Sequence, residues 1–463
     1  MRNLLFVSPT GALINGAEGS GISLMVHLAD VGFRVLNTFP QHYKIHDPQS
    51  FSSYQESMQS GGIDQLPLDY GWWIPGDEEF AQREFAAVAE IIAAIRQHNI
   101  DLVISNTTNV PWGALAAALT GSRHIWLLHE FPTGTFSWLD DKYDFVAEFS
   151  SAIFCASPSL RDVVQARVTR AGSGTPVTTF RPYSDVSSAE LTDFEQARIV
   201  VVGSVNRRKN QIEAIRMLPA LREVGFSPRV LFIGEIEDVD YRKEIEQVAT
   251  DLNVAGQITF LGHREMPWSA VSSMDIVLQC SESETFSLVA CEAAKLGLRL
   301  ILARNPSAAD LASLLEGIIV YDRGDIDELA STVERMLRDP DSTLREAALT
   351  RDAAVAVLSR DSCHAPILAE LFSRDQQSPP AALALLGPYF SHFVEGTRAE
   401  IARLSLHETE AQSHIGLLTM QADSLARELT RVYGSRTWLL ARALSAPLRA
   451  LRRLTASARG HRV

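Results

Sequence analysis

The chain has 463 residues, too many for one ordinary core, and its length predicts about two to three domains. With 46% hydrophobic and 21% charged residues it has the composition of a globular protein, and no apolar run approaches the ~20 residues that span a bilayer. The net charge of −14 argues against a general nucleic-acid binder; residues 431–463 hold eight arginines and no acid, which leaves −22 on the rest.

The chain opens on Leu4-Leu5-Phe6-Val7, which runs into a Pro/Gly segment without a secretory apolar region or a small-residue cleavage site, so it reads as a first core strand and the protein as cytoplasmic. A glycine-bearing loop follows (Gly16, Gly19, Gly21), then a helical run at 22–29 that Gly32 ends, then a strand at 33–36. Residues 101–105, 125–129 and 152–156 read as buried strands, with a helix near 113–119. Tyr70, Trp72 and Trp73 offer aromatic faces, either for stacking on a ligand or for packing. The alternation restarts at 198–203, with strands at 229–234, 258–262, 276–280 and 300–302. Two doubly wound, Rossmann-like α/β domains are expected, 1–185 and 186–345, joined near 182–192 across a ligand-sized cleft. The four cysteines (Cys155, Cys280, Cys291, Cys363) have no metal-type spacing and suit small hydrophobes in a reducing compartment.

Beyond the second domain, 346–395 is expected to pack helices and a loop back on the body. Within 396–434 two registers, apolar but for Glu408, recur every seven residues. One is Ile401, Glu408, Ile415, Ala422, Leu429; the other is Leu404, Ala411, Leu418, Leu425, Val432. This seam across 401–432 predicts a coiled coil, for self-association or a partner enzyme, against a single helix lying on the body. The tail 435–463 mixes Trp438 and several leucines with arginines, a composition that is drawn to an anionic membrane surface or left as a solvated basic end.

The chemistry concentrates in the second domain. Glu284 lies after the strand 275–280, and Glu292 lies eight residues on, inside the next helix. Open α/β sheets bind ligands outside the carboxyl ends of their strands. Gly203-Ser204-Val205-Asn206-Arg207-Arg208-Lys209 also follows a strand and opens a helix (212–218). A glycine lets backbone approach a ligand, a helix start offers free N–H groups, and three cations attract a diphosphate.

With these landmarks in order, residues 199–337 resemble the nucleotide-binding domain of the glycosyltransferase family 4 group of retaining, GT-B-fold sugar transferases. The resemblance rests on Gly203…Arg208-Lys209-Asn210, Phe232-Ile233-Gly234, the strand 258–262, and Ser281-x-x-Glu284-x-Phe286…Glu292-Ala293…Gly297. The first domain matches more loosely, through the glycine loop, Asp101-Leu102-Val103 and His129. The resemblance implies that Glu292 holds the ribose of a nucleotide sugar and Glu284 the hydroxyls of the donor sugar. It implies that Arg208 and Lys209, with Gly203, Arg207 and the N–H groups of Ser287 and Leu288, receive the diphosphate. His129 would meet the donor sugar from the first domain, and Gly19 and Gly21 would line the acceptor or diphosphate. The chain departs from the family pattern at Ser204 (commonly arginine), Ser287 (glycine) and Arg299 (proline).

Retaining transfer passes through an oxocarbenium-like state while charge grows on the diphosphate, which fixed cations stabilise. No cofactor and no metal are expected; Asp238-x-Asp240, the nearest candidate pair, reads as a solvated loop. The acceptor class is a glycan or lipid-linked sugar in cell-surface polysaccharide or lipopolysaccharide synthesis, since the Trp/Pro-Leu-Arg ending of the tail is similar to that of some bacterial surface-polysaccharide enzymes. The expected location is the cytoplasm, with the inner face of the plasma membrane as the site of any peripheral attachment. The alternatives are a non-catalytic scaffold with a degenerate transferase body, and another GT-B enzyme such as an epimerase or phosphorylase.

Overall fold

A computed structural model describes residues 2–373, apart from 74–77, 188 and 193–195. The heptad seam at 401–432 and the basic tail at 435–463 therefore lie outside the described residues.

The first domain comprises β1 (Asn3–Val7), α1 (Gly16–Asp30), β2 (Arg34–Pro40), α2 (Tyr43–His46), α3 (Pro48–Ser60), β3 (Asp64–Leu68), α4 (Glu78–Gln97), β4 (Leu102–Asn106), α5 (Trp112–Thr120), β5 (Arg123–Leu128), α6 (Tyr143–Glu148), β6 (Ala152–Cys155), α7 (Pro158–Arg170) and β7 (Val177–Thr179). Its strands form one parallel sheet in the order β3-β2-β1-β4-β5-β6-β7. The second domain comprises β8 (Ile199–Val202), α8 (Ile212–Arg216), α9 (Leu218–Glu223), β9 (Val230–Ile233), α10 (Val239–Asp251), β10 (Ile258–Gly262), β11 (Ile276–Gln279), α11 (Leu288–Lys295), β12 (Arg299–Ala303), α12 (Pro306–Leu314), β13 (Ile319–Tyr321) and α13 (Ile326–Arg338). Its parallel sheet runs β10-β9-β8-β11-β12-β13.

Both sheets reverse their winding direction at one point, between β1 and β4 in the first and between β8 and β11 in the second. Crevices at such switch points, outside the strand ends, are where doubly wound sheets take ligands. The strands there are continuous apolar runs because helices cover both faces; Leu4 to Val7 and Ile276 to Leu278 are buried. The last two helices of the described residues, α14 (Pro340–Val357) and α15 (Arg360–Phe372), leave the second domain and return to the first. Thr350 on α14 donates to the carbonyl of Glu316, whereas Arg360 at the start of α15 pairs with Asp30 of α1 at 2.7 Å.

Several local expectations are corrected. The glycines at 16, 19 and 21 do not form a loop but the first two turns of α1, because Asn15 caps the helix by accepting from the N–H of Glu18. The helix expected at 212–218 breaks at Met217 into α8 and α9, where Pro219 sits in the first turn of the new helix. Asp238 and Asp240 are not a loop pair: Asp238 caps α10 by accepting from the N–H of Tyr241, and Asp240 lies in its first turn, paired with Lys243. Arg299 is buried at the start of β12. Its guanidinium donates to the carbonyls of Met336 and Met274 and to Thr343 Oγ1, so it occupies a family proline position by tying three backbone or hydroxyl acceptors.

Candidate active site

β8 delivers the chain to Gly203, whose φ of +137° is a conformation that side-chain-bearing residues rarely adopt. The loop after β9 packs directly on it: a Cβ on Gly234 would stand 2.1 Å from the Gly203 carbonyl oxygen. Beyond Gly203, Asn206 caps a short 3-10 turn at Arg207–Lys209 by accepting from the N–H of Lys209, and Asn210 turns the chain with φ of +50°. The turn aims its cations in two directions. Lys209 Nζ donates to Glu284 Oε1 at 2.5 Å, and Arg208 Nη1 lies 3.3 Å from the same oxygen while donating to the Ser283 carbonyl. Arg207 faces the other way, donating to Glu244 at 2.8 Å and lying over the Tyr241 ring. The structure therefore brings Arg208, Lys209 and Glu284 together and leaves Arg207 outside the cluster.

Backbone bonding joins the two loops as well, since the N–H of Glu282 donates to the Arg208 carbonyl. Burial pushes the Glu284 carboxyl up, but Lys209 and Arg208 outweigh it and hold the group below the usual carboxylate range.

α11 starts at Leu288 with Ser287 as its cap; the Ser287 hydroxyl accepts from the N–H of Ala290 and from Gln279. The N–H of Ser287 itself donates to Ser307 Oγ at 3.0 Å, so the anion-facing donors of this helix are those of Leu288 and its neighbour, not that of Ser287. Glu292 follows one turn in. Its Oε1 accepts from Ser184 Oγ at 2.5 Å and its Oε2 from the Trp268 indole N–H at 2.9 Å. Burial pushes its carboxyl up, and these two donors and Lys295 counter part of that.

The first domain meets this site through α1. A Cβ on Gly16 would stand 2.7 Å from Leu288 Cδ1, so the N-termini of α1 and α11 approach each other across the domains. Gly21 lets α1 close on Asn106, the last residue of β4: a Cβ there would lie 2.9 Å from Asn106 Nδ2. Asn106 donates to the Ala17 carbonyl and lies 2.9 Å through Oδ1 from His129 Nε2. His129 follows β5, with its ring edge-on to Phe180, and burial lowers its pKa to about 4, so the imidazole is neutral. Gly19 has open space where a side chain would go and belongs to no such contact.

Sequence reasoning missed Ser184, Trp268, Lys295, Asn106 and Glu130. Glu130 is buried behind His129, accepts from the N–H groups of Thr108 and His129, and is pushed up to about 7 by burial. The only signal for Glu130 was adjacency to His129; Ser184 lies 108 residues from the carboxylate it touches. Trp72 and Trp73 are engaged within the domain, Trp72 donating to the Pro9 carbonyl and Trp73 packing on Phe145. The four cysteines are free and buried. Among the described residues, no group of three or more His, Cys, Asp or Glu side chains is arranged to hold a metal, and no helix is long and apolar enough to cross a membrane.

Two parallel-sheet Rossmann-like domains, each with one switch point, define the GT-B fold. The Anabaena protein HepE in complex with UDP and glucose has the same architecture, with a TM-score of 0.65 at 19% identity over 80% of this chain and 99% of that one. So does a glycosyltransferase from Rickettsia africae, with a TM-score of 0.63 at 13% identity over 80% and 97%. These likenesses concern the fold. Residues 187–351 match the family Glycosyl transferases group 1. The chain is also 25% identical over 364 residues to a sulfoquinovosyl transferase of Arabidopsis thaliana, across 73% of this chain and 67% of that protein. The chain is a glycosyltransferase.

Proposed function

We propose that this enzyme is a retaining glycosyltransferase that moves a hexose-type sugar from a nucleoside diphosphate donor to a lipid-linked or polysaccharide acceptor in surface-glycan synthesis. The observation that carries the reading is the single cluster of Lys209, Arg208 and Glu284 at the β8/β11 switch point, beside the N-terminus of α11. Two cations and a helix N-terminus suit a departing diphosphate. In the empty enzyme Glu284 holds the cations in place; with donor bound it turns to the sugar hydroxyls, while Glu292 accepts from the ribose.

The bond from the anomeric carbon to the diphosphate oxygen breaks as the acceptor oxygen bonds to the same face. The acceptor proton passes to the leaving phosphate, so no side-chain base is required. Neutral His129, whose Nε2–H donates to Asn106 Oδ1, accepts a hydrogen bond from a sugar hydroxyl through Nδ1 without adding charge. The cations take the charge-neutralising role of a divalent ion, so turnover is expected to survive EDTA. HepE, with UDP and glucose in its structure, makes UDP-linked hexoses the first donors to try.

The test is nucleoside diphosphate release from UDP-, GDP- and ADP-sugars, with the anomeric configuration of the product read by proton NMR. An inverted product removes the retaining assignment, and no release from any donor, with Glu284→Gln silent in cells, leaves the scaffold reading. Liposome flotation of the full chain against one lacking 435–463 tests the membrane role; equal recovery removes it.

A further inference from the structure

The segment joining the two domains passes over Glu292 and makes contacts on both sides. Ser184 Oγ donates to Glu292 Oε1 at 2.5 Å, and its carbonyl accepts from Lys295 Nζ, one helical turn beyond Glu292 on α11, also at 2.5 Å. The ammonium of Lys295 lies 4.4 Å from the centre of the Tyr183 ring. In the opposite direction the N–H of Tyr183 donates to Ser20 Oγ on α1 at 3.2 Å. Residues 183 and 184 thus link α1 to α11, the two helices whose N-termini meet at Gly16 and Leu288.

The two donors on Glu292 differ in kind. The Trp268 indole N–H comes from the turn Pro267–Ala270 in the same domain and can only donate, so it fixes the carboxylate's orientation. The Ser184 hydroxyl sits on the interdomain segment and rotates about one bond. A carboxylate that is to accept from two vicinal hydroxyls must turn lone pairs on both oxygens toward them, and Ser184 already occupies Oε1.

We propose that Ser184 and Lys295 form a latch on Glu292 in the empty enzyme, which the nucleotide ribose displaces, so that donor binding frees the segment joining the two domains. This rests on the assignment of Glu292 to the ribose. Ser184 is a positioning residue: it acts through Glu292 and competes with the ligand for it. Removing its hydroxyl costs the empty state a charge-assisted hydrogen bond and leaves the bound state unchanged, so it tightens nucleotide binding.

The experiment is calorimetric titration of the full chain with UDP, GDP and ADP, followed by the 2′,3′-dideoxy form of whichever binds tightest. Ser184→Ala is expected to bind the ribonucleotide roughly ten- to a hundredfold tighter than wild type, the scale of one competing hydrogen bond to a charged group. Ser184→Thr, which keeps the hydroxyl, restores wild-type affinity, and Lys295→Met shifts affinity in the same direction as Ser184→Ala. The dideoxy ligand, having no hydroxyl to displace the latch, binds wild type and Ser184→Ala equally. Unchanged or weaker ribonucleotide binding by Ser184→Ala overturns the latch, as does an equal gain with the dideoxy ligand. Glu292→Gln separates the two ideas: if it leaves ribonucleotide affinity intact, the ribose assignment itself fails.

Discussion

At the scale of single residues, the structure separates the three cations of the turn after β8. Lys209 and Arg208 converge on Glu284, whereas Arg207 is an exposed partner of Glu244. Lys209→Ala is expected to lower kcat by roughly 10²–10³-fold, the usual loss when one preorganised donor to a leaving group is removed. Arg207→Ala should change kcat less than twofold, because exposed ion pairs contribute little. Steady-state release of nucleoside diphosphate measures both; equal losses would show that the turn reorients on binding. Glu18 makes a separate prediction. Its buried Oε1 accepts from Thr10 and Gly11 while Oε2 has no hydrogen-bond partner, and burial pushes its pKa up to about 7. The folded state therefore keeps a proton that the unfolded state gives up above about pH 4.5, so this group's contribution to stability falls as pH rises from 4.5 to 7 and is then level. Relative to Glu18→Gln, wild type should lose up to ~3 kcal/mol over that window in urea unfolding. A pH-independent difference between the two proteins would place the Glu18 pKa near its ordinary value.

At the scale of elements, the βα junctions were legible because each has a local signature. Ser287, eight residues past the strand, capped the expected helix, and Gly297 with φ of +72° ended it. The start of α1 was misplaced because three glycines in six residues read as a loop, and what holds them helical is tertiary. Gly16 and Gly21 exist to admit Leu288 and Asn106, partners hundreds or tens of residues away that a local pattern does not contain. Glu292 was legible by its spacing from Glu284, but its donors Ser184 and Trp268 were not, since folding rather than periodicity brings them there. The glycines can be told apart by substitution. Gly19→Ala meets no atom within 4 Å and should stabilise the protein by about 0.5–1 kcal/mol through helix propensity, with activity kept. Gly21→Ala presses a methyl against Asn106 and should disturb the Asn106–His129 contact, lowering kcat at least tenfold. Melting temperature and kcat for the two variants decide the matter; an active Gly21→Ala would mean that Asn106 does not position His129.

At the scale of the whole described body, the two domains are held not only by the segment at 181–192 but by α15, which returns from the second domain to lie on α1. Ile367 and Leu371 join the first domain's core, Arg360 pairs with Asp30, and Glu370 pairs with Arg123. At the centre of this contact His27 Nδ1 and His364 Nδ1 stand 2.9 Å apart, an arrangement that requires at least one neutral ring. Burial lowers the His364 pKa to about 3, with His27 and Arg360 adding to the effect; burial and Arg360 also lower that of His27, against the pull of Asp361 and Asp30. Tyr183, from the joining segment, packs edge-on against His364, and Cys363 precedes His364 in the helix. A base whose folded pKa lies below its unfolded value costs stability once the unfolded chain takes up the proton. The loss therefore begins as pH falls through about 6.5 and continues toward 3. Between pH 7 and pH 5, wild type should lose up to ~2 kcal/mol more than His364→Gln, which cannot titrate. Urea midpoints at the two pH values measure this. Parallel losses in both proteins would assign the acid sensitivity to the other histidines with lowered pKa, His27, His124 and His129, rather than to His364.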